Sequence, residues 1–272
     1  MLWYFKDLII GVILGFVEGI TEFLPISSTG HMIIVAEKIL HILQGPRVKT
    51  FEVVVQLGSI FAVIFLFKER ILTLLGFDIK KKTRILEGNL NIAHIFLAIF
   101  PAAIIGFFFH SFIKSLFSTK TVIAALIMGS ILMLVAEKIS SNLKNKTVYL
   151  DEISYSQAFT IGLFQCFALW PGFSRAGATI SGGLIAGVKH KAASEFSFII
   201  AIPMMIGASA LDLVKNFSFL SLNDLPFFIA GFVTSFLVAI FAIKFFLNII
   251  SNINLVPFAI YRFIVAFVLL FI

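Results

Sequence analysis

The stretch Glu18–His31 reads EGITEFLPISSTGH, and its surroundings decide the fold. An apolar run, LIIGVILGFV at Leu8–Val17, leads into it, and MIIVA at Met32–Ala36 leads away. Carboxylates, hydroxyls and a histidine thus interrupt a segment otherwise apolar enough to lie in a lipid bilayer. An ionisable group at bilayer depth costs about 2.5–3.5 kcal/mol on insertion scales, so such groups are seldom idle. A second stretch, PGFSRAGAT at Pro171–Thr179, repeats the pattern with an arginine added.

Working outward, the 272 residues are 60% hydrophobic and 13% charged, and include 34 Phe. A water-soluble core cannot absorb that much apolar surface, so the chain reads as an all-α polytopic membrane protein forming a single integral-membrane domain over residues 1–272. The run after Lys6 lacks a small-residue cleavage site and carries Glu18 and Glu22, unlike a cleavable signal peptide. The lone Cys166 rules out an internal disulfide framework and a cysteine-based metal site. A net charge of +7 is read as basic cytoplasmic loops, with no nucleic-acid partner.

Six segments read as full spans: 51–67, 90–109, 119–137, 195–214, 225–248 and 255–272. The remaining apolar stretches, 8–43 and 156–188, read as re-entrant helical hairpins broken at their centres by Pro, Gly and polar residues. Lys68, Arg70, Lys80, Lys81, Lys82 and Arg84 fall in one loop, and Lys138, Lys144 and Lys146 in the next loop on that side. The positive-inside rule makes both cytoplasmic and puts both termini outside. The hairpins then enter from opposite faces and their tips meet. A weak internal repeat agrees: Gly15, Glu18 and Gly30 correspond to Gly162, Gln165 and Gly177, all 147 positions apart. The chain therefore reads as an inverted-topology repeat, with halves at about 1–137 and 138–272, around a shared site.

Glu18 and Glu22, four residues apart, share one face of a helix expected to end near Pro25. Two close carboxylates in a low dielectric suit a divalent metal, Mg²⁺ or Ca²⁺ given hard oxygen ligands, or a general acid/base pair. Capping or packing is the structural alternative. After Pro25, Ser27-Ser28-Thr29-Gly30 reads as the start of a new helix, whose free N–H groups form a ready anion site. Ser28 is the candidate nucleophile, with a carboxylate base and His31 close in sequence. In the second motif Arg175 offers a fork for phosphate oxygens, Ser174 and Thr179 offer hydroxyls, and Gly177 allows close backbone approach. Arg175 could equally neutralise Glu18 or Glu22 as an ion pair. Gln56 reads either as site-lining or as a packing hydrogen bond. Asp212 and Arg262 lie near expected span ends, where snorkelling is the default.

Both motifs resemble the signatures of the bacterial undecaprenyl-diphosphatase family, also called bacitracin-resistance proteins. KTFEVVVQLGSI at Lys49–Ile60, ASEFSFIIAIPMM at Ala193–Met205 and PFAIYRFIVA at Pro257–Ala266 extend the likeness along the chain. The resemblance implies hydrolysis of undecaprenyl diphosphate to undecaprenyl phosphate and inorganic phosphate, recycling the lipid carrier for peptidoglycan. It implies a divalent cation, membrane lipids as surroundings, and a bacterial cytoplasmic membrane location with the site open to the outer side. Antagonism of bacitracin would follow from the shared lipid diphosphate. By this likeness Glu18 and Glu22 engage metal and activate the attacking group, Ser28 is the nucleophile, and His31 is the motif histidine. Arg175, Ser174 and Thr179 bind diphosphate, and Ser27, Thr29, Gly30, Gly172 and Gly177 complete the binding loops. One departure stands out: the family pattern PGxSRSGxT has a second serine where this chain has Ala176, worth about 0.5–1.5 kcal/mol if that hydroxyl bonds. The oligomeric state, a homodimer included, stays open.

A transporter or flippase of polyprenyl phosphates is the competing reading, since a repeat architecture does not dictate chemistry. Binding needs only cations and donors, whereas hydrolysis also needs a base and a nucleophile or activated water.

Overall fold

The computed structural model describes residues 2–42, 45–77, 90–116, 118–144, 146–216 and 224–271. Their regular secondary structure is helical, joined by turns, with an isolated bridge between Thr147 and Val188. The basic residues Lys80, Lys81, Lys82 and Arg84, used above for orientation, lie outside the described residues, as do the side chains of Lys49, Lys114, Asp212 and Lys215.

The first half runs α1 (Leu2–Thr21), α2 (Ser28–Met32, continued as a π-helix over Ile33–Ile39), α3 (Pro46–Leu66), α4 (Lys68–Leu74), α5 (Ile92–Phe108), α6 (His110–Ser115) and α7 (Thr119–Asn142). The second runs α8 (Tyr155–Gln165), α9 (Arg175–Ile185), α10 (His190–Asn216), α11 (Leu225–Ile249) and α12 (Val256–Phe271). Helix starts follow local chemistry. Pro46 opens α3, the Asn91–His94 capping box opens α5, and the Ser118 and Ser154 side chains accept backbone N–H bonds at α7 and α8.

A helix overlaps each of the six expected spans, and each stretch read as a hairpin contains two helices separated by a turn: α1, itself 20 residues long, with α2, and α8 with α9. Length and apolarity single out three helices able to cross a membrane: α7, His190–Ala210 of α10, and α11. Thr50–Leu66 with Lys68–Leu74 adds a fourth if its 79° bend lies within one span, and α5 and α12 are shorter apolar helices. Helix α1 stops at Thr21 rather than near Pro25, because Pro25 has no N–H to bond the Thr21 carbonyl four residues back. Glu22 still donates its N–H to the Glu18 carbonyl, at 2.9 Å, so the two carboxylates stay one turn apart.

The halves exchange partners: α1 packs along α11 of the second half, and α8 packs along α5 of the first. Small residues allow both contacts. A Cβ on Gly15 would lie 2.5 Å from the Gly231 carbonyl oxygen, and one on Gly162 would lie 2.7 Å from that of Ala98. Helices α3 and α10, and α7 and α12, also pair across the halves. The largest core cluster, including Phe23, Ile60, Met133, Phe196, Phe198 and Phe246, gathers side chains from both halves. At one edge Arg70 holds Asp151 through both guanidinium nitrogens, while Glu137 accepts from His190 Nε2 at 2.8 Å and the Leu255 N–H at 2.6 Å. This packing brings the turn after α1 against the start of α9.

Candidate active site

Each motif forms a turn followed by a helix start, and the two turns share an unusual backbone. Ser27 precedes α2 with φ 71° and ψ 100°; Ser174 precedes α9 with φ 71° and ψ 115°. Positive φ in a residue with a side chain is strained by about 1–3 kcal/mol and collects at functional turns. Both serines act as caps: Ser27 Oγ accepts from Gly30 N at 3.4 Å and Ser174 Oγ from Gly177 N at 3.1 Å. Gly172, at φ 93°, makes the turn before Ser174 and packs under Val122.

The Glu22 carboxylate joins the motifs. Its Oε2 accepts from Ser28 Oγ at 2.7 Å, and its Oε1 from Arg175 Nη2 at 3.2 Å. The side chains of Arg175 and Glu22 are only 13% and 8% exposed, so the pair is shielded from water. Glu18 is buried one helical turn before Glu22. Arg175 sits in a pocket of its own. Its Nη1 donates to the Ser197 carbonyl at 3.2 Å, and its guanidinium carbon lies 5.2 Å from the centre of the Phe23 ring.

The other expected residues take distinct places. Thr179 is fully buried; its hydroxyl donates to the Arg175 carbonyl at 2.8 Å and lies 2.6 Å from Ser197 Oγ, so it props the arginine turn from behind. His31 Nδ1 donates to the Ser27 carbonyl at 2.7 Å, and Nε2 meets the Tyr261 hydroxyl at 2.7 Å. Thr29 lies half-buried on the first turn of α2. Buried Gly30 packs against Leu126 and Val265, and Gly177 against Arg262.

Arg262 corrects the snorkelling expectation. It is fully buried, and its Nη2 lies 3.2–3.3 Å from the carbonyls of Ala125, Leu126 and Gly172. The sequence reading placed Arg262 near a span end with its head group in water, but α12 turns it inward onto the second motif. Sequence reasoning also left out Tyr261, Ser197 and Phe23, and it left out Glu52 on α3, whose charge adds to the acidic field on Glu18. Each lies in a quoted string, yet none carries a local pattern that sets it apart.

Glu18 and Glu22 suit a hard divalent cation. Among the described residues there is no group of three or more His, Cys, Asp or Glu placed to hold a metal. Two carboxylates without a third protein ligand fit Mg²⁺, which keeps waters and takes phosphate oxygens from a substrate.

A family model described as bacitracin resistance protein BacA matches residues 11–268. The chain belongs to that family. At family level this implies undecaprenyl-diphosphatase chemistry and bacitracin resistance. Both motif turns, Tyr261 and Arg262 of this BacA-family chain fall within the matched residues.

Proposed function

We propose that this protein hydrolyses undecaprenyl diphosphate to undecaprenyl phosphate and inorganic phosphate. It does so as a multi-pass protein of the bacterial cytoplasmic membrane, with six spans, two re-entrant hairpins and a site open to the outer face. The observation that carries the reading is the Ser28–Glu22–Arg175 line. A hydroxyl donates to a carboxylate, which in turn holds a cation suited to phosphate, all in one shielded place. In a site built only to bind an anion the carboxylate would serve just to neutralise Arg175, whereas hydrolysis also uses it as the base that Ser28 faces.

In the proposed mechanism the diphosphate approaches the start of α9. Backbone N–H groups and the Ser174 hydroxyl donate to it there. The phosphate draws Arg175 away from Glu22. Glu22, without its cationic partner, takes the Ser28 proton as Ser28 Oγ attacks the terminal phosphorus; undecaprenyl phosphate leaves, and water later cleaves the phosphoserine. Direct attack by a water that Glu22 deprotonates is the variant without that intermediate. Glu18 and Glu22 would hold Mg²⁺ or Ca²⁺, which supplies charge neutralisation for the phosphoryl oxygens. Thr179 and Ser197 hold the Arg175 turn in place.

The exchange of partners between halves favours a second reading, movement of the lipid phosphate across the bilayer. One experiment separates the two: phosphate release from undecaprenyl diphosphate in detergent with Mg²⁺, for wild type, Glu22→Gln, Ser28→Ala and Arg175→Ala. Hydrolysis predicts turnover by wild type and a fall of about 10²–10³ or more in each variant. A folded wild type that binds the lipid but releases no phosphate with any divalent cation overturns hydrolysis and leaves transport.

A further inference from the structure

Tyr261 and Arg262 are neighbours on α12 yet reach different motifs: Tyr261 meets His31 of the first, and Arg262 the Gly172 carbonyl of the second. One partner of His31 places one of its ring hydrogens. The Ser27 carbonyl, 2.7 Å from Nδ1, can only accept, so Nδ1 carries the hydrogen. Nε2 then presents its lone pair in the neutral ring, and the Tyr261 hydroxyl 2.7 Å away is the donor. The rings stack 11° from parallel with centroids 5.5 Å apart, which fixes the imidazole plane as well. The Ser28 hydroxyl, meanwhile, donates to Glu22.

We infer that Tyr261 is a positioning residue for the site, acting through His31. It holds the imidazole as the Nδ1–H tautomer with Nε2 free of hydrogen. Through the Nδ1–H bond it also steadies the Ser27 carbonyl, one bond away from the Ser28 backbone nitrogen. Ser27 carries the strained φ of 71°, so this prop bears on the residue that aims the Ser28 hydroxyl at Glu22. The role rests on the diphosphatase reading for its effect on rate, but not for its effect on the ring.

The test uses the full-length protein in detergent with ¹⁵N-labelled histidine, the His31 signals being assigned by their loss in His31→Gln. Tyr261→Phe keeps the stacked ring and removes only the hydroxyl; Tyr261→Leu removes both. In wild type, His31 should show a protonated Nδ1 and a hydrogen-bonded, unprotonated Nε2. Tyr261→Phe should move the Nε2 resonance and leave the melting temperature unchanged. It should lower kcat about five- to tenfold, the scale of one lost hydrogen bond, with KM within twofold. Added to His31→Gln, it should cause no further loss, because both changes remove one interaction. The proposal is overturned if Tyr261→Phe leaves the Nε2 resonance in place, or if the two substitutions multiply in kcat. A wild type without phosphatase activity removes the diphosphatase reading alone; the resonance arm still decides whether Tyr261 sets the state of His31.

Discussion

Ser27 and Ser174, 147 positions apart, adopt the same backbone torsion of φ 71° and each caps the helix that follows it. The repeat is faint in the letters between these serines, where Ser28 corresponds to Arg175 and His31 to Ala178. The turn geometry is shared while the chemistry of the two turns differs: one offers a hydroxyl, the other a cation. Glu22 stands where they meet.

Because both serines are strained and both cap, substitution at Ser174 should separate the two effects. Ser174→Ala loses the cap and keeps a Cβ at positive φ, so it should destabilise by about 1–2 kcal/mol. Ser174→Gly loses the cap but relieves the strain and should cost only a few tenths. Thermal unfolding in detergent checks the order; an alanine variant as stable as the glycine variant would remove strain from the account.

Glu18 and Glu22 should differ in what their loss does. Glu18→Gln leaves the Ser28–Glu22–Arg175 line intact and removes one oxygen ligand, so activity should return at higher Mg²⁺. Glu22→Gln removes the base as well and should stay about 10²–10⁴ below wild type at any Mg²⁺ concentration. Mg²⁺ titrations of phosphate release after chelator treatment distinguish the two shapes, and identical curves would contradict the separate roles.

Arg262 should be required for stability more than for substrate binding. Arg262→Met leaves the Gly172, Ala125 and Leu126 carbonyls without this donor in a buried setting, a cost of about 1–3 kcal/mol. The melting temperature should fall, and kcat should fall with it through the loosened Gly172 turn. A variant that melts like wild type would show that these carbonyls do not depend on the guanidinium.

The glycine contacts between halves should be intolerant of a methyl group. Gly162→Ala places a Cβ 2.7 Å from the Ala98 carbonyl oxygen and 2.9 Å from its Cα. Backbone cannot move aside as a flexible side chain can, so a loss of about 1–3 kcal/mol is expected, from overpacking. Gly45→Ala, with nothing within 4 Å of the new atom, is the control: it has no overpacking cost, and any loss should be limited to the weaker N-cap of α3.

Much of the fold was legible because apolar length and helix breakers act locally. Helices begin within about five residues of the six expected span starts, and the turns at Leu24–Ile26 and Trp170–Phe173, marked by Pro25, Pro171 and Gly172, separate the two helices of each stretch read as a hairpin. Helix limits were the weaker part: α1 ends at Thr21, and the Phe67 bend between α3 and α4 carries no proline or glycine to announce it.

By itself the sequence determined which chemical groups are present and that they lie within apolar surroundings: two carboxylates, the Ser28 hydroxyl, His31 and Arg175, on two turns that start helices. Those properties belong to single residues and their neighbours in the chain, where propensity and hydropathy operate. Only the tertiary structure decided who meets whom. It set Arg175 on Glu22 across 153 positions, turned Thr179 toward Ser197, drew Arg262 inward, and laid Tyr261 on His31 across 230 positions. Such pairings depend on how α1 and α8 exchange partners and on which glycines let backbones touch; periodicity along one helix marks its faces but not which distant helix each face meets.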